Sequence, residues 1–133
     1  MIQWSKEMDV QIESIDVQHR TLIALINELQ DVIDNGRPEV MVGSILSKVI
    51  DYTHYHFEHE ENCLIVGCYS KLKEHQCVHN EVSRKLKQME REYLNGTPGV
   101  APRVLELLQR WAMDHIMKTD RQYSAQLVIA GLQ

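Results

Sequence analysis

The chain has 133 residues, the usual size of one domain with one hydrophobic core, so we expect a single domain over residues 1–133. Its formal net charge of −5 disfavours nucleic acid or an anionic membrane surface as the main partner. No apolar stretch approaches the roughly 18 to 20 residues of a membrane span, and the first residues do not resemble a signal peptide. The sequence therefore predicts a cytoplasmic protein with no membrane partner.

The N-terminal half contains an irregular arm and two predicted helices. The arm covers residues 1–15, and Asp16 is a candidate N-cap for the first helix, which ends at Asn35 and Gly36. A second helix begins near Pro38 and runs to about residue 67. Each segment repeats apolar residues in steps of three and four, which is typical of an amphipathic helix.

The C-terminal half divides in the same way. Ser70 can cap a third helix that ends at Asn95 and Gly96, and Pro102 opens a fourth helical segment that reaches toward the C-terminus. We find no strand-like alternation in the sequence. Four amphipathic helices with short connections predict an all-α, up-down-up-down four-helix bundle with an N-terminal arm.

Five histidines continue the apolar stripes, at positions where a bundle normally places leucine or isoleucine. They are His19, His56, His75, His79 and His115. A single histidine of this kind is usually a core residue with a hydrogen-bond partner. Five from four helices cannot all find local partners in an apolar interior without a large desolvation cost, whereas a metal satisfies them together.

Spacing supports a metal site. His56 and Glu60, like His75 and His79, are separated by one helical turn, so both members of each pair can reach the same site. Imidazole with carboxylate suits iron, zinc or copper, whereas calcium and magnesium prefer oxygen ligands. Five histidines with Glu60 and Asp120 are too many ligands for one ion and suit two ions that share bridging carboxylates.

These residues resemble the hemerythrin family, and its bacterial single-domain or sensor-domain members, the bacteriohemerythrins, in particular. The motifs that carry the resemblance are Ile15-Asp16-Val17-Gln18-His19, His56-Phe57-Glu58-His59-Glu60-Glu61, His75-Gln76-Cys77-Val78-His79 and Trp111-Ala112-Met113-Asp114-His115-Ile116, followed by Asp120. They occur in the family's order over nearly the whole chain. A lone HxxxH motif would be weak, but the four motifs together are highly specific.

The resemblance implies a ligand set for two iron ions. One iron would be held by His75, His79 and His115, and the other by His19 and His56. Glu60 and Asp120 would bridge the two irons, beside a bridging oxo or hydroxo group. The second iron would keep an open position, so residues 1–133 would form a hemerythrin-like di-iron oxygen-binding domain.

The function implied by the resemblance is reversible binding of dioxygen, without enzymatic turnover. We expect it to serve oxygen or redox sensing in a signalling protein that carries a C-terminal output domain, because an apolar stripe from Tyr123 continues to Leu132. The alternatives are a stand-alone oxygen carrier or store, or a di-iron enzyme that handles peroxide or iron repair. No Glu-x-x-His pair occurs in the sequence, which disfavours ferritin-like oxidase chemistry.

Three residues depart from the common family pattern. Leu64 stands where the family often has methionine, and Ser70 where it often has proline. Val82 lies three positions beyond His79, where the family often has phenylalanine. A smaller side chain should let water reach the site more easily. The substitution therefore predicts fast autoxidation, a behaviour that suits a redox sensor better than a store.

The five-residue spacing of His115 and Asp120 does not fit an ideal α-helix. Five residues turn such a helix by about 500°, which leaves the two side chains roughly 140° apart. If both serve one centre, either a π-type bulge at Met117 to Thr119 brings them together, or the carboxylate reaches inward from the margin of the face. We favour the bulge.

Other residues near the motifs are expected to have ordinary roles. His54 and His59 lie off the face of His56 and are predicted at the surface or in supporting contacts. Cys63 and Cys77 are predicted to be small buried hydrophobic residues, and Glu61 is predicted to face solvent. With Cys68, the cysteines are odd in number and clustered, which favours a reducing compartment over a disulfide framework.

Overall fold

The computed structural model describes residues 1–133, apart from the side chain of Thr119. A 3-10 turn in the arm and five α-helices, the last two joined by a π-helical segment, follow in chain order. They are the turn at Lys6–Met8, α1 at Glu13–Asp34, α2 at Glu39–Val66, α3 at Leu72–Leu94, α4 at Val100–Trp111, the π segment at Ala112–Asp120 and α5 at Arg121–Ile129. Across the described part of the chain, no helix is long and apolar enough to cross a membrane.

The helices form the predicted all-α bundle. Helix α1 packs against α2 and α4, and α3 packs against α2 and α4, which places consecutive helices side by side in a four-membered ring. The apolar stripes face inward: Leu22, Ile26, Leu46, Leu86 and Leu108 are fully buried. Burying such a side chain stabilises the fold by about 1.5–3 kcal/mol, so these stripes fix the orientation of each helix.

The N-terminal arm packs along the bundle, as predicted. The backbone of Ile2 makes two hydrogen bonds with the side chain of Asn27 in α1. The Ile2 N–H donates to Asn27 Oδ1 (3.0 Å), and the Ile2 carbonyl accepts from Asn27 Nδ2 (2.7 Å). Trp4 lies under the guanidinium of Arg20, 5.2 Å from the ring centroid. These contacts hold the start of the chain against α1.

Two helix starts predicted from capping residues are wrong. Helix α1 begins four residues earlier than an N-cap at Asp16 implies, so Asp16 lies inside it, and its Oδ1 accepts a hydrogen bond from the backbone N–H of Val10 in the arm (2.9 Å). Helix α3 begins at Leu72, and the Ser70 hydroxyl contacts the side chain of Gln126 instead (3.4 Å). Both side chains bind partners outside the helix that each was predicted to cap, Val10 in the arm and Gln126 in α5, which local capping rules do not consider.

Candidate metal centre

The structure brings all seven predicted site residues into one buried region of the bundle. Helix α1 contributes one histidine, α2 and α3 contribute two residues each, and the π segment contributes the last two. These residues are His19, His56, Glu60, His75, His79, His115 and Asp120, and each is at most 5% exposed. Each lies on the apolar face of its helix, so the packing that buries the stripes also places the site.

All five imidazoles turn their Nε2 atoms toward the two carboxylates. Three of these Nε2 atoms have a Glu60 oxygen as their nearest carboxylate oxygen, at 3.1 Å for His56, 3.0 Å for His79 and 2.5 Å for His75. The other two lie beside Asp120, His19 at 3.2 Å and His115 at 2.9 Å. The interior of the site is therefore lined by one kind of nitrogen and by carboxylate oxygens.

The ligand atoms fall into two groups that share Glu60. Glu60, His75, His79 and His115 form one group, and His19, His56, Glu60 and Asp120 form the other. Within each group, the atoms lie within 4.8 Å of one another. Asp120 also reaches the first group, since its Oδ1 lies 3.1 Å from His75 Nε2. Both carboxylates thus lie between two sets of histidines, as bridging ligands would.

Several of these close contacts are not aligned as hydrogen bonds. Among the described side chains, the Nε2 atoms of His19, His56, His79 and His115 and both oxygens of Asp120 are buried without a hydrogen-bond partner, although they lie 2.9–3.3 Å from an oppositely polar atom. Buried polar atoms in this state are costly. Atoms that point at a common centre rather than at each other fit metal ions placed between them, and imidazole with carboxylate is a donor set that suits iron.

The carboxylates and histidines set each other's protonation. Burial raises the pKa of Glu60, but the close contacts with the surrounding histidines outweigh burial and hold that pKa well below its usual range. Burial lowers the pKa of His19 and His75, yet the adjacent carboxylates of Asp120 and Glu60 raise these pKa values to about 9 and about 10. Without metal, the two buried negative charges are therefore balanced by protonated imidazoles.

The predicted π-type distortion is present and is longer than expected. It covers Ala112–Asp120, nine residues, and includes the positions from Met117 to Thr119 where we placed the bulge. A π-helix has more residues per turn than an α-helix, so residues five apart come onto the same face. This explains how His115 and Asp120 both reach the site.

Three supporting residues were missed by the sequence analysis. Gln18 Oε1 accepts a hydrogen bond from His56 Nδ1 (2.8 Å), and Tyr123 donates its hydroxyl to Glu60 (3.3 Å). Glu61, predicted to face solvent, instead accepts a hydrogen bond from His79 Nδ1 (2.9 Å), because α3 packs beside it. Gln18 and Glu61 are each adjacent to a site residue in sequence and lie within the motifs that carry the family resemblance, which are the signals that could have pointed to them.

The remaining neighbours are mostly as expected. His59 lies beside Ser14 (2.9 Å) and His54 beside Ser83 (3.3 Å), outside the metal-ligand groups. Cys63 is buried, and burial raises the pKa of its thiol, which disfavours the reactive thiolate. The prediction for Cys77 is wrong: the residue is exposed, because it lies on the outer face of α3 between the two inward-facing histidines.

The comparisons with known proteins agree with this geometry. The family model described as hemerythrin HHE cation binding domain matches residues 10–127. A bacteriohemerythrin of Stenotrophomonas maltophilia is 27% identical over 127 residues, which cover 96% of this chain and 82% of that protein. One from Clostridium acetobutylicum is 25% identical over 92% of this chain and 98% of its own.

The solved structures agree in fold. A crystal structure of wild-type hemerythrin superimposes with a TM-score of 0.89 over 96% of this chain and 98% of that chain, at 24% identity. The family match extends from the arm to α5 and so includes every residue of the candidate site. The chain therefore belongs to the hemerythrin family, whose members bind dioxygen at a di-iron centre and are not enzymes.

Proposed function

We propose that residues 1–133 form one di-iron oxygen-binding domain and that the seven buried residues of the site are its metal ligands. His75, His79 and His115 would hold one iron, His19 and His56 the other, and Glu60 and Asp120 would bridge them. The observation that carries this proposal is the convergence of five Nε2 atoms on two shared carboxylates in a buried site. With three histidines for one metal and two for the other, the second metal would have a position for an external ligand.

A bound iron pair would supply the redox-active metal ions at which dioxygen is taken up and released. The protein's part is to hold the ligands and to limit the entry of water. Phe57 stacks on the ring of His79, with centroids 3.9 Å apart and an interplanar angle of 8°, and Trp111 stacks on His115 at 5.9 Å. These aromatic contacts fix the orientations of the His79 and His115 rings.

The biological use that we propose is oxygen or redox sensing, within a signalling protein whose output domain would respond to the state of the iron pair. Support comes from a surface cavity of about 310 Å³ between α3 and the α4–π region, lined in part by Val82, Trp111 and His115. Water that enters beside a site histidine would promote autoxidation, in which the iron pair is left oxidised and dioxygen is released in a reduced form. A site that oxidises readily suits a sensor better than a carrier or store.

An optical titration of the deoxygenated ferrous protein with dioxygen, followed by removal of the gas, tests the oxygen-binding function. We expect a new absorption band that saturates at about one dioxygen per chain and disappears on removal. Metal analysis of protein produced with ample iron should give two irons per chain. One zinc and no iron, or conversion of the ferrous protein to the ferric form without any oxygenated absorption band, would contradict the proposal.

The sensing role needs a separate experiment, because binding alone does not distinguish a sensor from a store. In the full-length protein, the activity or conformation of an attached output domain should differ between the ferrous, oxygenated and ferric forms. Identical output in all three forms would contradict sensing and would favour storage or transport.

A further inference from the structure

The outer nitrogens of two site histidines have chemically different partners. His79 turns Nε2 into the site and donates from Nδ1 to the carboxylate of Glu61 (2.9 Å). His56 also turns Nε2 into the site, but it donates from Nδ1 to the neutral amide oxygen of Gln18 (2.8 Å). Since these acceptors have no proton to offer, both imidazoles keep the Nε2 lone pair free for a metal.

The two acceptors are held in place by the helices that carry the ligands. Glu61 follows Glu60 on α2, so it points about 100° away from the site and toward the neighbouring α3. Gln18 precedes His19 on α1 and is buried against α2, whereas Glu61 is partly exposed. Each contact therefore joins a residue on one helix to a ligand on the next.

A carboxylate acceptor changes the imidazole more than an amide acceptor does. A negatively charged acceptor of the Nδ1–H hydrogen bond increases the electron density of the imidazole ring and so its strength as a metal ligand. A neutral amide acceptor mainly fixes the orientation of the ring. On the other side of the site, Nδ1 of His19 is buried without a partner among the described residues. The two sets of histidines thus differ in outer partners as well as in number.

We propose that Glu61 is a positioning residue that makes the two metal positions unequal. By strengthening His79, it makes the position at His75, His79 and His115 the one that fills first and binds metal more tightly. This inference rests on the ligand assignment of the proposed function, and it adds an ordered assembly of the centre. The amide of Gln18 strengthens His56 less, so the position at His19 and His56 binds metal less tightly. This is also the position expected to exchange an external ligand.

Stepwise titration of the metal-free protein with Co²⁺ tests this inference, since the absorption of Co²⁺ reports its ligands and no dioxygen is needed. The wild-type chain should bind two ions in two resolved steps. Glu61→Gln should weaken the first step by about 10-fold to 100-fold, the usual effect of removing an outer partner of a metal ligand, and change the second step little. Glu61→Asp should restore part of the loss. Glu58→Gln, an exposed carboxylate on the same helix, is the matched control and should leave both steps unchanged.

The reciprocal variant Gln18→Glu places a carboxylate behind His56 and should strengthen the second step, so that the two affinities become more similar. Circular dichroism of each variant establishes that it is folded. If Glu61→Gln is folded and binds Co²⁺ like the wild type, or weakens both steps equally, the inference is wrong. If Glu61→Gln is unfolded, a Gln18→Glu variant whose two steps remain as far apart as in the wild type overturns it.

The outcome is separable from that of the proposed function. A chain with two graded Co²⁺ steps that fails to bind dioxygen reversibly as the iron form would contradict the oxygen-binding function and leave the role of Glu61 intact. If the wild-type protein binds dioxygen reversibly but Glu61→Gln leaves both Co²⁺ steps unchanged, the oxygen-binding function stands and the role of Glu61 is wrong.

Discussion

The buried carboxylates Glu60 and Asp120 decide how many protons the metal-free site carries. His19 and His75, with pKa values raised to about 9 and about 10, both hold a proton at pH 7. A histidine ligand must be neutral, so these protons have to leave when metal binds. Between pH 7 and pH 9.5, His19 loses most of its proton and His75 keeps most of its own.

We therefore expect metal binding to release about one proton fewer at pH 9.5 than at pH 7, and affinity to rise with pH across this range. Calorimetric titration with Co²⁺ in two buffers of different ionisation enthalpy measures the release. His54→Asn, outside the site, should behave like the wild type. Proton release that is the same at both pH values would contradict the assignment of raised pKa values to these histidines.

Val82 lies beside the site at a position where the size of the side chain should affect the entry of water. The residue is buried and lines the cavity of about 310 Å³ that is also lined by Trp111 and His115. Val82→Phe should fill part of this space and slow autoxidation of the oxygenated protein several-fold, because less water reaches the site. The decay of the oxygenated absorption band measures the rate.

Val40→Phe provides the control, since Val40 is exposed at the start of α2 and does not line this cavity. It should autoxidise like the wild type. A Val82→Phe rate equal to or faster than the wild-type rate would remove the pocket-based reason for preferring sensing to storage.

Individual partners at the site were the least predictable from sequence. The ligands themselves could be found because histidine interrupts an apolar stripe, and His115 and Asp120 even revealed the π segment through their spacing. The outer partners Gln18 and Glu61 could not, because their roles depend on how closely α1 approaches α2 and α2 approaches α3. No periodicity within one helix contains that information.

At the scale of elements, the helices were predictable and two of their starts were not. The stops at Gly36 and Gly96 agree with the structure because both glycines have positive φ angles, +59° and +81°, which end a helix favourably. The starts depended on Asp16 and Ser70, whose side chains are used by Val10 and Gln126 in tertiary contacts. A glycine stop depends only on the local backbone conformation, whereas a candidate capping side chain can form its hydrogen bond with another part of the structure.

The junction of α2 with α5 depends on a glycine without a strained backbone. Gly67 has φ −80°, which any residue can adopt, but a Cβ there would lie 2.1 Å from Leu127 Cδ2. Leu127 is fully buried and cannot move aside easily. Gly67→Ala should therefore lower the free energy of unfolding by about 1–3 kcal/mol, the usual cost of overpacking, as measured by denaturant unfolding.

Gly43→Ala, inside α2, is the control for Gly67→Ala at the end of that helix. A Cβ at Gly43 would meet the hydroxyl of Tyr93 at 3.0 Å, and this flexible tip can shift. Alanine also favours a helix interior by about 1 kcal/mol over glycine, so Gly43→Ala should be neutral or stabilising. If Gly67→Ala is no less stable than Gly43→Ala, close packing of α5 on the end of α2 is not what requires glycine.

For the whole molecule, the metal centre joins four elements of the bundle and should contribute to the stability of the fold. Ligands come from α1, α2, α3 and the π segment, so metal ions bound among them favour the folded chain over the unfolded one. A ligand present at 1,000 times its Kd stabilises by about 4 kcal/mol. The metal-free protein should accordingly melt at a clearly lower temperature than the metal-loaded protein.

The two histidine-to-alanine variants separate this coupling from ordinary packing. His79→Ala removes a member of the metal-ligand group and should lose most of the metal-induced rise in Tm, whereas His54→Ala, whose ring contacts Ser83 away from both groups, should keep it. Thermal melts of each variant with and without metal measure the rise in Tm directly. A loss of packing that affects the metal-free and the metal-loaded variant equally does not change this difference. Equal metal-induced rises in the two variants would mean that His79 does not bind metal.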